Sequence, residues 1–217
     1  MIAVVDYCKG NLKSVERGLR GVGGDAHITD DPALIRRSDA IVLPGVGAFG
    51  DASRTMRETG QMSAIRDALA DGAVFLGICL GLHLLFAEGV EGRDEHGTNP
   101  GGLAVLSGTV DKMPHHDGRG KSFKVPHVGW NSIEFDEDSC PLLEGVESGE
   151  YFYFTHSFIA PMEDHLIATT THSVTFPSVV QAGDTIFGVQ FHPEKSSDAG
   201  ERILQNFLAI VENNRNR

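Results

Sequence analysis

The sequence predicts an α/β domain: a mixed, mostly parallel central sheet flanked by helices on both faces, with added antiparallel hairpin strands. Three observations lead there. Compact β-branched runs without polar alternation suit strands covered on both faces. Segments with apolar residues at helical spacing stand between those runs. Past residue 100, short β-type runs follow one another without intervening helices.

The elements read in order. "IAVVD" (2–6) is a buried strand. "NLKSVERGLRGVG" places Leu12, Val15, Leu19 and Val22 on one helical face, and Gly23 and Gly24 stop it. "DAIVLPG" (39–45) is a second strand ending in a turn. "QMSAIRDALADG" (61–72) is a helix with Ala64, Ile65, Ala68 and Leu69 together and Gly72 past its end. "AVFLGI" (73–78) is a third strand, and "LGLHLLFAEG" (80–89) reads as the next helix. The polar, glycine-rich "GVEGRDEHGTNPGG" is a surface loop. "GTVDKM", "WNSIEF", "YFYFTHSFIA", "LIATTTH" and "SVVQAGDTIFGVQFH" follow as hairpin strands, with a Gly-Asp turn in "AGDTIF". "SDAGERILQNFLAIVENN" closes the chain as an amphipathic helix carrying Ile203, Leu204, Phe207, Leu208 and Val211, with Ser197 or Asp198 as its cap. Neither a repeat nor a linker divides the sequence, so residues 1–217 read as a single domain.

Composition excludes several classes of function. No apolar stretch approaches the roughly 20 residues of a membrane span. "MIAVVDY" lacks the basic flank and cleavage site of a secretory signal, so a cytoplasmic protein is expected. A net charge of −12 argues against a nucleic-acid groove, which needs clustered Lys and Arg. The balance of 12 Arg to 6 Lys and 16 Asp to 14 Glu is compatible with adaptation to salt, and equally with an ordinary acidic surface. Cys8, Cys79 and Cys140 are too few and too far apart for a disulfide framework or a paired-cysteine zinc site, which suggests free thiols.

One cysteine has a special setting. In "AVFLGICLG" a strand runs into a helix through Gly77, Ile78, Cys79, Leu80 and Gly81, the context of a nucleophile elbow. Glycines flank such a turn because it is tight and strained. A helix starting at Leu80 would favour the thiolate and offer N–H groups to a developing oxyanion. A buried core cysteine between packing glycines is the other reading of this segment. A base would decide between them, and "IFGVQFHPEKS" (186–196) supplies one. Residues two apart on an extended segment point the same way, so Glu194 can orient His192. A metal site at these two residues would need a third ligand at diagnostic spacing, and none is present. "LPGVGAFG" (43–50) lacks the Lys-Ser/Thr of a phosphate loop, but Gly45, Val46 and Gly47 could aim backbone N–H groups at an oxyanion beside Cys79.

Cys79 in "GICLG" with a distant "HPE" resembles the triad-type (class I) glutamine amidotransferases. The runs "DYCKGNLKSV", "LPGVGAFGD", "KVPHVGWN", "YFYFTHSF" and "GVQFHPEKS" resemble, along nearly the whole chain, the members that serve histidine biosynthesis. The resemblance implies that Cys79, His192 and Glu194 hydrolyse glutamine through a glutamyl thioester, without a cofactor or a metal. It implies glutamine binding by His83, Thr155, His156, Ser157 and Phe158, with Glu91 aligned less securely, and an oxyanion site near Gly47 and Leu80. It also implies a heterodimer in which ammonia passes to a (β/α)8-barrel synthase subunit making imidazole glycerol phosphate. Asn11, Lys13, Pro126, His127, Trp130, Asn131 and Lys195 would face that barrel, with Tyr153 at the ammonia exit.

The family usually carries glutamine where this chain has His83, one helical turn beyond the nucleophile. That side chain contacts substrate in the family; here it could also disturb the Cys79–His192 pair. Cys8 and Cys140 lack elbow glycines and read as non-catalytic, and the 111–124 stretch has no assigned role. A glutaminase serving another synthase, such as one making anthranilate or guanylate, and a subunit that has lost activity are the competing readings. "PHVGWN" opposes the first of them. The intact triad opposes the second.

Overall fold

Val and Ile runs with no polar alternation pair side by side at the centre of the chain. The computed structural model describes residues 1–8, 10–136 and 140–216, which leaves Lys9 of the "DYCKGN" run outside. Strands β1 (Ile2–Val5), β2 (Ala26–Thr29), β3 (Ala40–Gly45) and β4 (Val74–Cys79) alternate with helices α1 (Leu12–Gly21), α2 (Pro32–Arg36), α3 (Phe49–Glu58) and α4 (Gln61–Ala70). A single turn, α5 (Leu80–His83), follows β4 directly. Then come β5 (Phe86–Gly89), β6 (Leu106–Lys112), β7 (His127–Ser132), β8 (Tyr151–His156), β9 (Phe158–Ile159), β10 (Leu166–Thr171), β11 (Thr175–Ala182) and β12 (Ile186–Val189), and the long closing helix α6 (Ser197–Arg215).

The central sheet has 7 strands in the order β10-β11-β12-β4-β3-β1-β2. From β12 to β2 all neighbours are parallel, while β11 and β10 add antiparallel at the far edge. β5 and β6 pair in parallel with β9 antiparallel to β6, and β7 with β8 forms a separate antiparallel ribbon. The β11–β12 pairing sets Ala182 opposite Ile186, so the turn holds three residues, Gly183 to Thr185, where "AGDTIF" suggests a two-residue Gly-Asp centre.

Strand alternation divides the core. Val4, Val42 and Leu76 face α1 and α6, meeting Val15, Leu19, Ile203 and Phe207; Val5, Leu43 and Phe75 face the other side, meeting Ile35, Met56 and Ile65. Each such fully buried side chain contributes about 1.5–3 kcal/mol. Among the described residues, no helix is long and apolar enough to cross a membrane.

The expected helix over 80–89 is replaced by one turn and a strand. The "LLF" run satisfies either period, and pairing decides: Phe86 pairs with Leu106, and Gly89 with Val110. The cap of α6 also differs. Ser196 precedes the helix, and its hydroxyl donates to the His192 carbonyl at 2.7 Å while accepting the Tyr153 N–H at 3.0 Å.

Candidate active site

Three adjacent parallel strands end together at one sheet edge. Register sets Gly45 of β3 beside Cys79 of β4, and Val189 of β12 beside Ile78. The chain beyond each strand therefore converges: Val46 and Gly47 on one side of Cys79, Gln190 and His192 on the other. This is the carboxyl edge of a parallel sheet, where open α/β folds bind ligands.

Cys79 sits at φ 54°, ψ −102°, outside the ordinary regions for a residue with a Cβ. The glycines around it are there because backbone crowds in. A Cβ on Gly81 would strike the Leu43 carbonyl, and one on Gly77 would strike the Gly81 carbonyl. The elbow is thus wedged between β3 and its own turn, which holds the strained nucleophile in place. A turn of four residues has little dipole of its own. What it offers an oxyanion is the first-turn N–H of Leu80, which has no intrahelical acceptor.

His192 lies on extended backbone, and Pro193–Lys195 then forms a 3-10 turn. The sequence argument placed Glu194 beside His192 through strand alternation; the turn achieves it instead, with Pro193 at its first position. Glu194 Oε1 lies 2.9 Å from His192 Nδ1, and both side chains are at most 3% exposed. The carboxylate holds the proton on Nδ1 and leaves Nε2, which has no hydrogen-bond partner among the described residues, free to act. Burial opposes a charge on this ring, yet the neighbouring Cys79 sulfur and the bond to Glu194 outweigh it and push the pKa up to about 9. The imidazolium that must form during proton transfer is therefore stabilised in advance.

A cavity of about 290 Å³ opens over the sulfur, large enough for a small amino acid. Val46, Gly47, Leu80 and His83 line it from the sheet side. Thr155, His156, Ser157 and Phe158 face them from the end of β8, with Pro126 beside them. Glu91 closes one end; its Oε2 accepts the Phe49 N–H at 2.9 Å, fixing the carboxylate at the start of α3. Burial holds the Glu91 carboxyl above its usual range. Gly45 contributes by lying flush against the Tyr7 hydroxyl and Leu80, where a side chain would collide.

The Cys79 thiol donates to the Thr155 carbonyl at 3.7 Å. Gln190, wholly buried, donates its amide N–H to the same sulfur, also at 3.7 Å. Sequence reasoning missed Gln190, although it stands only two residues before His192, in the segment that follows β12. It also missed Tyr7, whose buried phenol is held protonated by burial and by the nearby Cys79.

The expected partner-facing residues divide. Trp130, Pro126, Lys13 and Lys195 are exposed, and Asn11 and Tyr153 partly so. Trp130 meets the Tyr153 ring edge-on at 6.2 Å, and Lys195 Nζ lies over that ring at 5.7 Å. His127 is a correction: it is only 4% exposed and points inward. Its Nδ1 is 3.0 Å from His156 Nε2, and its ring stacks on Phe154. Asn131 also turns inward, donating to His127 Nε2 at 3.2 Å and to the Thr171 carbonyl at 3.0 Å. Cys8 is exposed and Cys140 buried, both unpaired, and burial pushes the Cys140 thiol up to about 11.

The family model for class I glutamine amidotransferases matches residues 3–211. The chain is 43% identical to the imidazole glycerol phosphate synthase subunit HisH of Caldanaerobacter subterraneus, over 97% of this chain and 98% of that one. It is 45% identical to the HisH subunit of Salinibacter ruber, over 97% and 94%. Among solved structures, a glutamine amidotransferase aligns with a TM-score of 0.72 at 19% identity, covering 98% of this chain and 100% of that one. PurLQS from Thermotoga maritima aligns at 0.70 and 20% identity, over 96% of this chain and 97% of its own. A strained cysteine at the sheet edge, a carboxylate-paired histidine beside it and a match along almost the whole chain agree: the chain belongs to the class I glutamine amidotransferase family.

Proposed function

We propose that this chain is the glutaminase subunit of an imidazole glycerol phosphate synthase, a cytoplasmic enzyme of histidine biosynthesis. The observation that carries the chemistry is the buried His192–Glu194 pair beside the Cys79 sulfur. Identity of 43% and 45% to HisH subunits over nearly the full length supports the pathway.

Cys79 Sγ attacks the side-chain amide carbon of glutamine as its proton moves to His192 Nε2. The oxyanion formed is held by N–H groups of the Val46–Gly47 backbone and of Leu80. Collapse breaks the C–N bond, and His192 returns the proton to the leaving nitrogen, releasing ammonia. Water, deprotonated by the same ring, then hydrolyses the glutamyl thioester to glutamate. Glu91, Thr155, His156, Ser157 and Phe158 surround the glutamine.

The ammonia acceptor is a (β/α)8-barrel synthase subunit docked on the β7–β8 ribbon. Val128, Trp130 and Tyr151 are each more than half exposed there, apolar side chains available to a partner. Lys195 Nζ lies over the Tyr153 ring of this ribbon, and the resemblance adds Asn11 and Lys13 to the docking surface. Glutamate release from glutamine, measured with the chain mixed with a barrel subunit, tests the proposal. Turnover in the mixture and none with Cys79→Ala is expected. Turnover that survives Cys79→Ala, or a failure of this barrel to bind or stimulate the chain, overturns it.

A further inference from the structure

His83 stands one turn beyond Cys79, and its Nε2 is 2.7 Å from the side-chain oxygen of Gln190. The other end of that amide meets the Cys79 sulfur. Two ends of one amide are thus committed, one to an imidazole and one to the nucleophile. Because the oxygen can only accept, His83 must carry its proton on Nε2. The opposite tautomer would favour a flipped amide, presenting oxygen lone pairs to the sulfur and repelling a thiolate.

We propose that His83 is a positioning residue that, through Gln190, keeps an N–H donor on the Cys79 sulfur. The inference rests on Cys79 being the nucleophile of the glutaminase reaction, and it deepens that reading. Thiol and thiolate then have separate partners. The Thr155 carbonyl takes the S–H proton in the resting thiol. Once that proton passes to His192, the Gln190 N–H stabilises the anion, a charge-assisted bond stronger than the neutral one. Burial supports the arrangement: His83 is 4% exposed and Gln190 fully buried, so the amide has few other partners for its two ends. Burial also pushes the His83 pKa down to about 4, so the ring stays neutral and its tautomer is the variable that matters.

The titratable groups facing this sulfur and relay are Tyr7 after β1, Glu91 after β5, His156 on β8, and His192 with Glu194 after β12. None of them bonds Gln190.

The test measures alkylation of Cys79 by iodoacetamide in the intact chain from pH 6 to pH 10. The Cys79 peptide is followed by mass spectrometry, because Cys8 is also exposed to the reagent. The readout is the rate at pH 7 relative to the rate at pH 10. His83→Leu and Gln190→Leu should each lower this ratio by about tenfold. The double variant should lower it no further than the larger single effect, because both remove one relay. His83→Gln restores an amide N–H donor toward Gln190 and should recover most of the ratio. An unchanged ratio in Gln190→Leu, or effects that multiply in the double variant, overturns the proposal. Should His83→Leu fail to fold, Gln190→Leu and His83→Gln decide it by the same criteria. The alkylation readout is independent of turnover, so loss of the relay effect with glutamate release intact refutes this inference alone. Absence of release with the relay effect present refutes the glutaminase reading alone.

Discussion

The buried histidines around Cys79 are pushed in opposite directions by their surroundings. On the sheet side, His192 has a carboxylate on Nδ1 and a thiol toward Nε2, and its pKa rises to about 9. His83 on α5, and His127 and His156 on the ribbon, have only neutral partners, and burial lowers them to about 4, about 4 and about 3. Burial alone keeps an imidazole neutral; one well-placed carboxylate and one thiol reverse the outcome. Of these four rings, His192 is thus the one whose surroundings favour the charged form. The ribbon tautomers follow from the ends of a chain of bonds. His156 Nδ1 donates to the Phe158 carbonyl at 2.8 Å, so its Nε2 accepts from His127 Nδ1, whose Nε2 accepts in turn from Asn131.

The most severe way to break the contrast is Glu194→Gln. The amide can still bond Nδ1 but cannot balance the imidazolium, and it can select the wrong tautomer. Glutamate release in the partner complex should fall by on the order of 10²–10⁴-fold, as in other triads. The thermal midpoint should move little, which separates this effect from unfolding. A loss below tenfold would mean that the carboxylate only packs.

The contrast also predicts two windows of pH sensitivity. His192 is raised in the folded chain, so its contribution to stability is present below pH 6.5 and disappears as pH rises through about 9. His83 and His156 are depressed, so the unfolded chain binds more protons below pH 6.5 and stability falls toward pH 4. Between pH 7 and pH 4.5, these two rings alone should remove on the order of 4 kcal/mol. Urea unfolding at both pH values measures it, and a flat profile would contradict the neutral assignment. His83→Leu should flatten the acid limb by about half of that loss.

How much of this was legible in the sequence depends on where the partners stand. Cys79 between Gly77 and Gly81, and Glu194 two residues from His192, lie within contiguous runs whose chemistry follows from local spacing. Most of the central sheet was equally readable, since buried strands and amphipathic helices announce themselves by period. The helix expected over 80–89 gives way to a strand because "LLF" suits either period and its strand partner begins only at Leu106. The Gln190–His83 bond spans 107 positions and exists only because β12 lies beside β4. The resemblance sets His127 with Trp130 on the partner-facing surface, but strand parity opposes it. Val128 and Trp130 share one face of β7, and His127 and Asn131 share the other.

That parity supports the mildest perturbation, Asn131→Asp. The wild-type amide gives an N–H to His127 Nε2 and another to the Thr171 carbonyl. A carboxylate can give neither, and it places an acceptor where His127 also has an acceptor. At pH 8 the fold should lose about 1–3 kcal/mol for the broken bonds. The new charge, however, gives His127 the kind of neighbour that His192 already has. Its pKa should rise from about 4 toward or above the ordinary value of 6.5. With the ring protonated, both nitrogens donate, one to the carboxylate and one to His156 Nε2, so the chain of bonds is satisfied again. The variant should therefore regain stability relative to wild type as pH falls from 8 to 6. NMR titration of the imidazole carbons follows the shift residue by residue. If His127 stays neutral at pH 5 in the variant, then proximity to a carboxylate is not what distinguishes His192 from the neutral rings, and the Cys79 sulfur alone must raise it.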